Sequence, residues 1–76
     1  MPEMRPGCEE AKINVDWVIS GDAGARQSFN HALRQGLTPF LAVRSAQRHN
    51  RHAQETLDRC QDWVIAYLTE LGFDQR

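Results

Sequence analysis

The sequence predicts a mainly α-helical single domain with a short N-terminal β-strand, one short helix and one long C-terminal helix, paired as a helical dimer. Three observations lead there. No Gly or Pro occurs between Phe40 and Leu71. Apolar residues in that stretch recur in alternating three- and four-residue steps, the spacing of a helix-pairing seam. Upstream, Ile13, Val15, Trp17 and Ile19 share one parity, the spacing of a half-buried strand. The alternative is a monomeric three-helix bundle, reached if the long helix breaks near Asn50.

In order, residues 1–11 hold Pro2, Pro6 and Gly7 with no apolar period and read as a flexible tail. Residues 12–76 form the single small helical domain. The segment KINVDWVIS follows as the strand, with Val18 its one misfit; a helix from Glu9 to Ile19, opening on two acids, is the competing reading. Gly21-Asp22-Ala23-Gly24 is a turn. It has neither the spacing nor the Lys of a phosphate-cradling loop. Asp22 suits the N-cap of a helix carrying Ala25, Phe29, Ala32 and Leu33 on its apolar face. Gly36 then takes the left-handed position after that helix, with Leu37 packing back. Thr38-Pro39 opens the next helix as N-cap and first residue, because Pro lacks only an N–H that has no intrahelical partner there.

Gly72 followed by Phe73 marks the end of the long helix. Between these marks a continuous helix is about 50 Å long, more than a domain of this size can cover. Its seam runs through Val43, Ala46, Asn50, Ala53, Leu57, Cys60, Val64, Tyr67 and Leu71. Trp63, Ile65 and Leu68 widen it towards the C-terminus. A twofold dimer supplies the missing cover for both strand and helix.

The chain has 76 residues, 8.7 kDa, with nine Lys+Arg against ten Asp+Glu. So small a domain buries only about 60% of its unfolded surface, and its core alone supplies roughly 3–5 kcal/mol. The near-neutral total excludes general electrostatic wrapping of nucleic acid. No run approaches the roughly 20 apolar residues of a membrane span, and MPEMRPGCEE lacks the apolar segment of a secretory signal. The expected location is cytoplasmic. Cys8 and Cys60, far apart and outside any CxxC pair, read as a tail thiol and a small core residue, not as a disulfide or zinc framework.

Charge is segregated along the chain. Residues 1–22 and 55–76 each carry five acids and two bases, whereas residues 23–54 carry five arginines and no acid. His31, His49 and His52 fall in the same acid-free middle, so mild acidification makes it more cationic. On a continuous helix Arg44, Arg48 and Arg51 lie within about 60° of one another and face solvent. Arg34 and Arg26 extend this set from the first helix, and Phe40 with Leu41 is either helix packing or an apolar anchor beside the arginines. Such a row suits phosphates or an acidic protein surface. The plain alternative is a solvated face whose arginines pair locally, Arg51 with Glu55 for instance.

Chemistry-bearing patterns are weak. His49 and His52 lack a third ligand at metal spacing, and His31 with Cys60 has no nucleophile turn or oxyanion hole around it. Trp17, Trp63, Phe29 and Tyr67 read as core. No catalytic residue, metal or cofactor is expected. The functional expectation is a small non-enzymatic regulatory or adaptor protein that binds another protein on a homodimeric long-helix frame. The alternative is a nucleic-acid-binding regulator, or an inhibitor of a nucleic-acid-processing machine, that uses the arginine row. Arg34, Phe40, Arg44, Arg48 and Arg51 are the candidate contact residues in either case.

Overall fold

Five α-helices and one π-helical turn make up the fold, a computed structural model in which residues 1–74 are described. The helices are α1 (Glu9–Asp16), α2 (Ala23–Arg34), α3 (Pro39–Ala46), α4 (Arg51–Arg59) and α5 (Gln61–Glu70). The π-helical turn, Trp17–Gly21, prolongs α1. There is no strand among the described residues. The mixed strand-and-helix expectation is corrected: this is an all-helical globule of 31 × 25 × 19 Å.

The predicted strand is helical because the stripe that meets the core has helical spacing. Ala11, Val15 and Val18 are fully buried, whereas Ile13 and Trp17, which share Val15's parity, stand exposed. Glu9 and Glu10 occupy the first turn of α1, where the helix dipole favours carboxylates. The helix ends where Asp22 turns extended (φ −147°, ψ 123°) and caps α2 by accepting from the Ala25 N–H at 2.8 Å. Trp17 lies against Gly21, where a Cβ would come within 3.1 Å of its indole.

Both glycine terminators form as expected. Gly36 (φ 93°) donates to Leu33 O, and Leu37 donates to Ala32 O; Gly72 (φ 99°) and Phe73 repeat the same pair of bonds to Thr69 O and Leu68 O. Thr38 caps α3 by accepting from Leu41 N–H at 3.3 Å, with Pro39 as its first residue.

The long helix does not exist as one rod. A turn at 47–50 separates α3 from α4, and Asn50 caps α4 by accepting from Ala53 N–H at 3.1 Å. A second break falls at Cys60 (φ −116°, ψ 28°). An unbroken helix would exceed the longest dimension of the fold. Folding back lets the chain cover its own seam: Val43, Ala53, Leu57, Cys60, Val64 and Tyr67 are all buried within one copy. The uncovered helix face that called for a helical homodimer is therefore gone. The three-helix bundle is corrected too, since α1 and the Cys60 break raise the number of helices to five.

The cysteines correct a third expectation. Cys8 and Cys60 are joined by a disulfide, with Cα atoms 5.9 Å apart, and both are buried. Residues 1–8 precede α1 as a strap along α5. Arg5 meets Asp62 at 2.6 Å, the Trp63 indole N–H donates to Glu3 O at 2.9 Å, and the N-terminal ammonium lies 3.5 Å from Glu70. The sequence carried no cue to the pairing, because α4 and the strap meet only once the chain is folded.

The core centres on Phe29, Leu57 and Leu68 with Val15, Val18, Val43 and Val64. Burying each such side chain stabilises by about 1.5–3 kcal/mol. Phe29 meets the ring of Phe73 edge-on at 5.0 Å, and the Arg26 guanidinium lies over both rings. Trp63 stacks on Tyr67 at 5.1 Å. Trp17, expected in the core, is instead 43% exposed.

Candidate binding groove

The segregated charges of the sequence are largely brought together by the fold. Arg44 on α3 binds Asp58 on α4 through two bonds, Nε to Oδ1 at 2.9 Å and Nη2 to Oδ2 at 3.0 Å. The bidentate carboxylate holds the guanidinium in its charged form and raises its pKa further. Arg51 pairs with Glu55 one turn on, as the local-pairing alternative expects. His52 is held by Glu10 of α1, 42 positions away. Lys12 is held by Asp16, which also accepts from the Tyr67 hydroxyl.

The aligned guanidinium row is thus corrected. Arg44 lies on α3, Arg48 in the turn and Arg51 at the start of α4, because the Asn50 cap interrupts the helix that would have aligned them. Phe40 is 3% exposed and belongs to the core, so it offers no surface anchor; Leu41 beside it is exposed. Arg34 and Arg48 remain exposed, and neither is paired with a carboxylate among the described residues. Arg48 donates only to Ser45 O, at 3.3 Å.

Between α2 and α3 runs an open groove of about 450 Å³. One wall is the row Gln27, His31 and Gln35, spaced i, i+4, i+8 along α2 and so about 12 Å long. Ser45, Arg48 and Leu37 form the other side. Among the described residues no carboxylate lines it. The sequence contained a signal for this wall: the three positions form a polar row away from the Ala25 and Phe29 face that identifies α2, with Gln27 opposite that face and Gln35 about 100° round from it. Read only for its apolar period, the helix did not disclose it.

Leu37 also lines a second, mainly apolar cleft of about 320 Å³ with Leu33, Pro39, Phe73 and the acidic Asp74. The two cavities therefore meet at one residue.

Other clusters do not assemble into catalytic geometry. Thr56 Oγ1 donates to His52 O at 2.9 Å and lies 3.3 Å from Glu10, but its side chain is fully buried and does not touch the imidazole. Cys60 carries no thiol to pair with His31. Among the described residues, no group of three or more His, Cys, Asp or Glu is placed to hold a metal ion, and no helix is long and apolar enough to cross a membrane.

Fold and site together define a small disulfide-stapled helical domain with a groove that no carboxylate lines among the described residues. Comparisons with protein-family models, curated proteins and solved structures found no match.

Proposed function

We propose that this is a small non-enzymatic regulatory or adaptor protein that acts by binding another protein through the cationic side made by α2, α3 and the turn before α4. The observation that carries the reading is the distribution of unspent charge. Arg5, Lys12, Arg44, Arg51 and His52 are each matched to a carboxylate within the chain, whereas among the described residues the exposed Arg34, Arg48 and Arg59 are not, and the first two lie on this side. A partner that presents carboxylates gains contacts there without first breaking an internal pair.

Nucleic-acid binding through the arginine row is the weaker reading, since Asp58 and Glu55 already occupy two of its three guanidinium groups. Of compartment, the buried Cys8–Cys60 bond favours an oxidising setting over the cytoplasm expected from the sequence. Thiol-trapping mass spectrometry on protein lysed in alkylating buffer decides that question.

A photo-crosslinking side chain placed at Arg34 or His49 in the native host tests the function. Crosslinks to one protein from these positions, and none from Ile13 on α1, are the expected result. Retention of duplex or single-stranded nucleic acid whose affinity falls linearly with log salt, with no protein crosslinked, would overturn it.

A further inference from the structure

We infer that the α2–α3 groove takes an extended acidic peptide segment that ends in an apolar residue, the carboxylates meeting Arg48 and the apolar side chain entering the cleft beyond Leu37. The inference rests on the protein-binding reading above and names the surface and the ligand chemistry.

Size supports it first. The wall of Gln27, His31 and Gln35 is about 12 Å long, which an extended chain at ~3.3 Å per residue crosses in about four residues.

Chemistry supports a peptide in particular. Carboxamide side chains offer both a donor and an acceptor, which is what a peptide backbone needs from its surroundings. Gln27 and Gln35, eight positions apart on one row, present that pair of groups at both ends of the wall. A DNA backbone only accepts and offers nothing to the carboxamide oxygens, and an RNA backbone donates only from its 2′-hydroxyls. Among the described residues that line the groove none is a Phe, Tyr or Trp on which bases stack, and Arg48 is the one permanent cation.

Charge sets the sign of the ligand. Among the described residues the α2–α3 groove holds no Asp or Glu, so a carboxylate entering it meets Arg48 without a competing anion, whereas a basic peptide meets like charge. Leu37 sets the order of residue types. It is 37% exposed and lines both cavities, so an apolar side chain that packs on Leu37 also meets Leu33, Pro39 and Phe73, while Asp74 in the same cleft disfavours a carboxylate at that end.

The test uses the full chain, isotope-labelled, with amide shifts followed on adding the synthetic peptide Glu-Asp-Glu-Asp-Leu amidated at its C-terminus, so that its apolar end brings no carboxylate to Asp74. Saturable shifts should concentrate on Gln27, His31, Gln35, Leu37, Ser45 and Arg48. Arg48→Glu should weaken binding about tenfold, the loss of one charge-assisted hydrogen bond. Arg59→Glu makes the same change in net charge on α4, outside both cavities, and should leave the affinity within about twofold. Replacing the peptide's Leu by Ser should weaken binding to the wild-type chain and matter less in Leu37→Ser. Thermal melts of each variant confirm folding. Equal losses from Arg59→Glu and Arg48→Glu, equal binding of Lys-Lys-Lys-Lys-Leu, or no saturable shift would overturn the groove assignment. Shifts confined to Arg34 and His49 would also overturn it while leaving the cationic side as a protein-binding surface. The crosslinking result is independent of all these outcomes.

Discussion

Cys8 and Cys60 stand 52 positions apart and are covalently joined, fastening the strap before α1 to the junction of α4 and α5. Closing a loop of that length removes enough freedom from the unfolded chain to stabilise the fold by about 4 kcal/mol on the chain-entropy account. A domain of this size has only about 5–10 kcal/mol in total.

Reduction, or Cys8→Ser with Cys60→Ser, should therefore lower the thermal midpoint by tens of degrees. Circular dichroism melts with and without a dithiol measure this directly. An unchanged midpoint would remove the bond from the account of stability.

Asn50 offers a test in which the sign decides. As the N-cap of α4 its side chain satisfies the Ala53 N–H, so Asn50→Ala should destabilise by about 1 kcal/mol. In a continuous helix the same change would replace a weak helix former by the best one and stabilise. Urea unfolding of the two proteins separates the cases.

Tyr67 should make the fold sensitive to alkali. Burial raises its pKa above the ordinary 10.0, and the bond to the Asp16 carboxylate raises it further. A folded value above the unfolded one means that the stabilisation is whole below pH 10 and is lost as pH rises through the folded value. Tyr67→Phe should flatten the fall in thermal midpoint above pH 10. Some slope should persist, because Lys12, whose pKa is raised first by its bond to Asp16, is lost in the same direction.

Asp62 acts at the other end of the scale. The Arg5 side-chain bond, and then the Trp63 N–H, hold its carboxyl below the usual 3.8. Its contribution is present above that value and is lost as pH falls through the depressed one. Carboxyl carbon shifts should place the Asp62 midpoint below that of an unfolded Asp. Arg5→Ala should raise the midpoint only part of the way, since the Trp63 bond remains.

Helix ends were legible in the sequence wherever the deciding hydrogen bond spans a few residues. Asp22, Gly36, Thr38-Pro39 and Gly72 each terminate or start a helix through bonds to groups within five positions, so residue type alone determined them. Asn50 belongs with them as the break the alternative allowed. The tertiary structure decided everything that depends on which face is covered. Whether 12–20 is strand or helix turned on whether Val15 shares its buried side with Ile13 or with Ala11 and Val18, and only the packed core selects. The Cys8–Cys60 bond, the Glu10–His52 and Arg44–Asp58 pairs and the α2–α3 groove all join residues more than ten positions apart. Their partners meet only when the chain folds back on itself, and it folds back because Asn50 and Cys60 interrupt the one helix too long for this chain to shield.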